Sequence, residues 1–140
     1  MRITRVLLAD TLGGFFYDDQ AAIGAGAAHD GEMYVGPAVT PGFRAIRVPA
    51  AALGIGLVLE DGSVHWGDAM SVQYAGAAGR DPIFDRSEQR TVVTTIVAPQ
   101  LGRLDVREFR ASSEWIRDLR VGGRPLHVGL QYGITQALIR

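Results

Sequence analysis

The first half of the chain alternates apolar and polar residues as β-strands do, whereas the second half spaces its apolar residues as helices do. Residues 3–9 are apolar and β-branched and carry no helix cap, so they predict a strand. Residues 53–59 and 63–68 predict a hairpin, because Asp61 and Gly62 separate two apolar runs. Together these segments predict an antiparallel meander of three or four strands over residues 1–68.

The chain between these strands predicts shorter strands and one long loop. Residues 10–31 are rich in glycine and small residues, with a helical turn near residues 20–23. Residues 32–35 and 43–48 predict two further strands, the second ended by Pro49. Long ordered loops in compact domains commonly act as lids or binding segments, so we interpret residues 10–31 as a lid.

Three helices are predicted over residues 85–140. The first starts at Asp85, a favoured N-cap residue, and runs to about residue 97, with a kink at Pro99 and an end near residue 101. The second covers residues 105–119 and is followed by two glycines. Its apolar residues recur at helical spacing, and Asp105 is in position to cap it.

The third predicted helix runs from residue 124 to the last residue. Apolar residues recur at every fourth position, namely Leu126, Leu130, Ile134 and Leu138. Gly129 and Gly133 mark a second side on which another backbone can approach closely. The sequence shows no C-cap residue before Arg140, which is consistent either with a frayed terminus or with a chain that is one part of something larger.

Residues 69–84 form a polar loop of small residues between the predicted sheet and the predicted helices. Within it, Gln73 carries both a donor and an acceptor, which need partners if the side chain is buried. A backbone hydrogen bond and a ligand contact both satisfy this requirement. The glycines at 76 and 79 are typical of an anion-binding loop, but the Lys-Ser/Thr pair of a phosphate loop is missing, so a plain connection is favoured.

Composition narrows the classes of function. A chain of 140 residues predicts one domain, and a net charge of −1 gives no electrostatic reason to bind nucleic acid or a membrane surface. The chain contains no cysteine and no lysine, which excludes thiolate chemistry, disulfides and a lysine base within it. The apolar run near the N-terminus is too short for a secretion signal, so we expect a cytoplasmic protein.

The acidic and imidazole side chains do not match a recognised catalytic or metal-binding pattern. Asp18 and Asp19 are neighbours, and neighbouring side chains on an extended segment point apart, so capping or solvation is favoured over an acid–base pair. His29, His65 and His127 lack metal-ligand spacing, and a satisfied structural role is favoured for His127. No metal site is predicted in this chain.

Several segments resemble the N-terminal part of methylaspartate ammonia-lyase, a family of the enolase superfamily. The resemblance covers the chain from its first residue to its last, and the loop at 72–82 and the final helix are its most specific parts. The segments that carry it are residues 14–20, 26–31, 58–62, 72–82, 96–101, 124–127 and 132–137. It implies an α+β capping domain, residues 1–140, that closes over the mouth of a (β/α)8-type barrel.

The resemblance also implies a function that this chain performs only in part. Members of the family reversibly eliminate ammonia from 3-methylaspartate to give mesaconate, with Mg²⁺, a Lys base and a His acid–base group all held by the barrel. This chain ends where that barrel would begin, so it would contain no catalytic residue and be inactive alone. Gln73 matches a glutamine that lines the family's pocket near the substrate's amino group and is the one site residue carried over.

Two hypotheses therefore remain. In the first, the chain is the capping subunit or N-terminal part of such a lyase, with the barrel supplied by a second chain or lost by truncation, and with a homodimer of the complete enzyme as one possible assembly. The docking surface would be the exposed flank of the last helix, including Leu138 and Ile139. In the second, the chain is a stand-alone small-molecule or protein-binding module with the cap fold and no catalysis.

Overall fold

The structure of the chain, a computed structural model, describes residues 1–71, 75–76 and 79–139. The strands are β1 (Ile3–Asp18), β2 (Ala28–Asp30), β3 (Met33–Val35), β4 (Arg47–Leu59), β5 (Val64–Ala69), β6 (Arg120–Val121) and β7 (Arg124–Pro125). The helices are α1 (Gln20–Gly24), α2 (Arg86–Val92), α3 (Ala98–Leu101), α4 (Phe109–Asp118) and α5 (Val128–Leu138), with a π-helical turn, Val93–Val97, between α2 and α3.

The main sheet is antiparallel with strand order β1-β4-β5, and the later helices pack on one of its faces. Side chains of β4 alternate across the sheet, so Leu53, Ile55, Leu57 and Leu59 enter the core and are buried. The β4–β5 hairpin turns at Gly62, whose φ of +83° is favourable only for glycine. The predicted hairpin and the α+β class are confirmed.

Strand β1 is much longer than predicted. The segment 10–31, interpreted as a lid loop, is instead strand as far as Asp18, followed by α1 and β2. The glycines at 13 and 14 do not end β1 because the pairing with β4 shifts register between Leu12 and Phe16 and then resumes. The helical turn predicted near residues 20–23 is confirmed as α1.

Strand β4 also differs from its prediction, since it begins at Arg47 and passes through Pro49 instead of ending there. Pro49 has no N–H to donate. It is tolerated because β5 pairs only with residues 53–58, which leaves that edge of β4 without a neighbour in the described sheet at Pro49.

The first predicted helix is confirmed, with a break in its middle. The Asp85 carboxylate accepts a hydrogen bond from the Glu88 N–H at 2.9 Å and caps α2. The predicted kink is the π-helical turn Val93–Val97, which lies directly before Pro99. Pro99 lacks the N–H that would continue the α-helical ladder, so the wider turn accommodates it.

The second predicted helix starts later than expected. Helix α4 begins at Phe109, and Asp105 does not cap it. Its carboxylate instead accepts hydrogen bonds from the Met1 ammonium group at 2.9 Å and from the Arg107 N–H at 3.0 Å. The Arg107 guanidinium binds the same carboxylate together with the ammonium group, so the turn before α4 is held by two charge pairs.

The third predicted helix is shorter at both ends. Two glycines, Gly122 and Gly123, both with positive φ, form the turn of the β6–β7 hairpin, so Arg124 and Pro125 are strand residues and α5 begins after His127. Helix α5 ends at Leu138, and Ile139 is extended. Leu138 is buried and Ile139 is exposed, so the prediction that both are uncovered is wrong for Leu138.

Helix α5 lies against β5 at unusually close range, as its glycines predict. A β-carbon added to Gly133 would stand 2.9 Å from the Ala69 backbone nitrogen, and one added to Gly129 would stand 2.3 Å from the Met70 carbonyl oxygen. This contact fixes α5 and the residues at the end of β5 relative to each other. In the part of the chain that the structure describes, every helix is too short or too polar to cross a bilayer.

Candidate functional site

The loop that follows β5 is held at both ends by buried hydrogen bonds. The Tyr17 hydroxyl, itself buried on β1, donates to the Ser71 carbonyl oxygen at 2.9 Å. The Ser71 hydroxyl accepts a hydrogen bond from the Phe84 N–H at 2.6 Å. Ser71 therefore joins the beginning of the loop both to the sheet and to the loop's own end.

The second end of the loop is tied to the start of α5. The Asp81 carboxylate accepts a hydrogen bond from the Val128 N–H at 2.7 Å. The His127 Nε2 atom lies 3.1 Å from the Pro82 carbonyl oxygen, and His127 Nδ1 lies 3.0 Å from the Gly129 nitrogen. A neutral imidazole that carries its proton on Nε2 satisfies both contacts, because Nε2 donates and Nδ1 accepts.

We call Tyr17, Ser71, Asp81 and His127 the loop anchors. They confirm the structural role predicted for His127, with the difference that His127 is the N-cap of α5 and not a residue within it. The Phe84 ring meets the His127 ring edge-on, with centroids 5.2 Å apart. Fixed points on β1, β5 and α5 thus hold the two ends of the loop. A loop held in this way can present groups in a defined position.

A cavity of about 370 Å³ opens between the anchored ends. Its walls come from the loop, from two anchors and from the first turn of α5: Ser71, Ala75, Gly79, Arg80, Asp81, His127 and Val128. The first turns of α2 and α5 are each already capped by an aspartate of this chain, Asp85 and Asp81. These carboxylates occupy the positions an anion would need, which favours a plain connection over an anion-binding loop.

Gln73, the predicted substrate-binding residue, lies outside the described residues. The structure describes Ser71 and the buried Ala75, which are two residues before and two residues after Gln73 and belong to the anchored region. The assignment of Gln73 to the site remains a prediction.

The adjacent carboxylates point apart, as predicted. Asp18 forms a two-point ion pair with the Arg47 guanidinium, at 2.7 and 2.9 Å. Asp19 caps α1 and turns inwards, where it accepts hydrogen bonds from the backbone N–H groups of Ala22, Val39 and Thr40 and from the Thr40 hydroxyl.

The environment of Asp19 favours its ionised form. Burial alone raises the pKa of this carboxyl, but the hydrogen bonds from Thr40, Val39 and Ala22 outweigh burial and lower the pKa to about 2. Asp19 is therefore a structural anion that joins α1 to the segment at 39–40. Both carboxylates are committed to neighbours and neither is free to act as a base.

The remaining candidates are scattered. His29 and Asp30 are exposed on the β2–β3 hairpin, where the His29 ring lies 4.3 Å from the Tyr34 ring. His65 lies on β5 opposite Leu57, away from the loop anchors. Among residues 1–71, 75–76 and 79–139, no group of three or more histidines, aspartates or glutamates is placed to hold a metal ion. The donor set of the described residues therefore does not fit a Mg²⁺ site.

Sequence reasoning missed Tyr17, Ser71 and Asp81 as anchors. The aromatic run at residues 15–17 was a weak signal, because aromatic residues are favoured in strands and the run suggests that the strand continues past the glycines. The partners of Ser71 and Asp81 are distant in sequence, on β1 and α5, so spacing carried no signal for them.

The antiparallel sheet with helices on one face and an anchored loop at its end defines an α+β domain. The sequence profile of the family described as "Methylaspartate ammonia-lyase N-terminus" matches residues 1–140. The chain therefore belongs to the family of methylaspartate ammonia-lyase N-terminal domains.

Individual relatives agree with this assignment. Methylaspartate ammonia-lyase 2 of Carboxydothermus hydrogenoformans is 44% identical over 140 residues, which are 99% of this chain and 34% of the relative. The magnesium complex of β-methylaspartase from Clostridium tetanomorphum matches with a TM-score of 0.93 and 43% identity, over 99% of this chain and 33% of that one. The Citrobacter amalonaticus methylaspartate ammonia-lyase containing (2S,3S)-3-methylaspartic acid matches with a TM-score of 0.93 and 39% identity, over 99% and 34%.

The chain spans about a third of the length of the curated relatives it matches. The structural matches cover the same share. A further segment of about two-thirds of the relatives' length has no counterpart in these 140 residues.

Proposed function

We propose that this chain is the capping part of a methylaspartate ammonia-lyase and works together with a barrel of the enolase-superfamily type. The complete enzyme would reversibly eliminate ammonia from 3-methylaspartate to give mesaconate. The observation that carries the proposal is the match of nearly the whole chain, at a TM-score of 0.93, to a third of enzymes named for this reaction or solved with (2S,3S)-3-methylaspartic acid.

The chain's own contribution is to hold a loop over the substrate. The four loop anchors fix the two ends of this loop, at Ser71 and at Asp81 and Pro82, against β1 and α5. Gln73 lies in this span, and its amide would accept a hydrogen bond from the substrate's amino group and help to exclude water. Catalytic residues and the Mg²⁺ ligands would belong to the barrel, since the chain has no lysine and the described residues offer no metal site.

Reconstitution tests this proposal. The chain is incubated with 3-methylaspartate and Mg²⁺, and mesaconate is followed by its absorbance. The same assay is repeated after residues 1–140 are fused to the part of the Carboxydothermus relative that follows its matched third. We expect no mesaconate from the chain alone and steady formation from the fused enzyme.

A Gln73→Ala version of the fused enzyme addresses the site residue. We expect it to fold normally and to change the use of ammonia relative to larger amines in the reverse reaction. An unchanged amine profile would remove Gln73 from the site. Activity from the chain alone would overturn the assignment of catalysis to the barrel, and an inactive fusion would favour the hypothesis of a stand-alone binding module.

A further inference from the structure

A groove of about 580 Å³ runs between α4 and α5 on the side of α5 that faces away from the sheet. Three large apolar side chains line it without being covered: Phe109 is 42% exposed, Val128 is 49% exposed and Tyr132 is 64% exposed. Surface residues of this size usually appear singly on soluble domains, and a contiguous set of them marks a surface that another element covers. We call this feature the α4–α5 groove.

A polar atom at the base of the α4–α5 groove also lacks a partner. The Ser113 hydroxyl oxygen is buried and makes no hydrogen bond within the part of the chain that the structure describes. A buried hydroxyl without a partner is unfavourable, because it has given up its hydrogen bonds to water and formed none in exchange. A covering surface that brings one donor or acceptor to Ser113 would remove this cost.

The groove connects the anchored loop with the end of the described chain. Val128 lines both the α4–α5 groove and the loop cavity. Tyr132 follows one turn later, and Ile139, which is 62% exposed, stands at the far end beyond the last turn of α5. Exposed apolar side chains therefore recur from the loop cavity to the end of α5, with polar and charged groove residues such as Arg110, Glu114 and Thr135 beside them.

We propose that the α4–α5 groove is the docking surface for the missing two-thirds of the enzyme, which would place an apolar ridge between Phe109 and Tyr132 and a polar group at Ser113. The inference rests on the proposed function. The occupant is indicated by the two-thirds of the relatives' length that this chain does not match, and by the exposure of Ile139 directly after α5, the helix that lines the groove.

The opposite face of the sheet is a second exposed apolar surface. Trp66 and Val64 lie there, on the side of β5 away from α5, and Trp66 is 51% exposed. Its ring already covers Gly56, because a β-carbon at Gly56 would stand 3.0 Å from the ring. This surface is separated by the whole sheet from the loop side of α5, so it serves as the internal control.

Thiol labelling tests the groove directly, because the chain contains no cysteine of its own. Tyr132→Cys and, as a control on the other face, Trp66→Cys are each made in the chain alone and in the fused enzyme. Reaction with a maleimide is followed at the introduced thiol by peptide mass spectrometry. Val128→Cys provides a second groove variant if Tyr132→Cys lowers the melting temperature of the chain.

We expect the groove thiol to react at least ten-fold more slowly in the fused enzyme than in the chain, and the control thiol to change less than three-fold. A groove thiol that stays reactive in the fused enzyme overturns the docking surface, whatever happens at position 66. Lyase activity is read separately: an active enzyme with a reactive groove thiol refutes the groove alone, whereas a protected groove in an inactive enzyme supports docking and refutes the proposed function.

Discussion

The two sides of helix α5 differ in how completely this chain covers them. On the inner side, glycines bring the backbones of α5 and β5 into contact, and the Gln136 side-chain oxygen accepts a hydrogen bond from the Asp68 N–H at 2.9 Å. On the outer side, Val128 and Tyr132 are exposed, as is Ile139 directly after the helix. The inner side thus completes the fold of the domain, and the outer side is available to a partner.

The largest effect on stability is expected from adding a side-chain atom where β5 and α5 are in close contact, on the inner side of α5. A β-carbon added to Gly67 would stand 2.0 Å from the Gly133 carbonyl oxygen and 2.9 Å from the Ala137 nitrogen. Both are backbone atoms, so Gly67→Ala must push α5 off the sheet. We expect it to lower the free energy of unfolding by about 3 kcal/mol or more, measured by urea denaturation.

Gly14→Ala is the matched control, because a β-carbon at Gly14 meets nothing within 4 Å. Its free energy of unfolding should change by less than about 0.5 kcal/mol. If Gly67→Ala were equally mild, the close packing of α5 on β5 would be refuted.

The second largest effect on stability is expected at the buried carboxylate of Asp19, which is hydrogen-bonded within the domain. Its pKa is about 2 in the folded state, against 3.8 as the ordinary value, so its contribution to stability is complete above about pH 4 and is lost as the pH falls towards 2. The lowered pKa corresponds to about 2 kcal/mol. Urea denaturation between pH 5 and pH 2 measures this loss.

The Asp19→Asn variant should have a lower free energy of unfolding at pH 5. It should also lose the part of the fall between pH 5 and pH 2 that comes from Asp19. Asp30→Asn, on the exposed β2–β3 hairpin, should keep the whole of it. An unchanged pH profile in Asp19→Asn would mean that other carboxylates cause the acid sensitivity.

The inner side of α5 was predictable from sequence, and the reason is local. The residues Leu126, Leu130 and Ile134 recur at helical spacing, which predicts the buried side of the helix. Gly129 and Gly133 recur at the same spacing beside them, which predicts where another backbone packs closely against it. The Asp61-Gly62 hairpin was predictable for a similar reason, since the turn residues and both strands are adjacent in the chain.

Features that depend on distant partners were not predictable in this way. The glycines at 13 and 14 suggested the end of a strand, but pairing with β4 carries β1 on to Asp18. Asp105 resembled a helix cap, but its carboxylate binds Arg107 and the Met1 ammonium, which is 104 residues away. The anchors of the candidate site belong to this class, because Tyr17 meets Ser71 and Asp81 meets Val128 only in the folded chain.

A smaller effect is expected at the buried anchor Tyr17. Burial raises the pKa of its hydroxyl, which keeps the group protonated and able to donate to Ser71. Tyr17→Phe removes the hydrogen bond to the Ser71 carbonyl oxygen, which should lower the free energy of unfolding by roughly 1 kcal/mol in urea denaturation.

Tyr34→Phe is the control for Tyr17→Phe, since Tyr34 lies on the small β2–β3 hairpin away from the loop. It should leave stability unchanged within about 0.5 kcal/mol. In the fused enzyme, Tyr17→Phe should lower kcat/KM several-fold and Tyr34→Phe should not. Equal effects of the two variants would show that the Tyr17 hydroxyl does not position the loop.

The smallest effect on this chain is expected on the outer side of α5. Tyr132 is mostly exposed, so Tyr132→Ala removes little buried surface and should change the free energy of unfolding of the chain by less than about 0.5 kcal/mol. A loss of 2 kcal/mol or more in urea denaturation would show that the ring packs within this domain, which would remove the contrast between the two sides. Because the substitution leaves the domain intact, a loss of stability that appears only after fusion to the remaining two-thirds would come from the contact between the two parts. The difference in melting temperature between the fused wild type and the fused variant measures this loss.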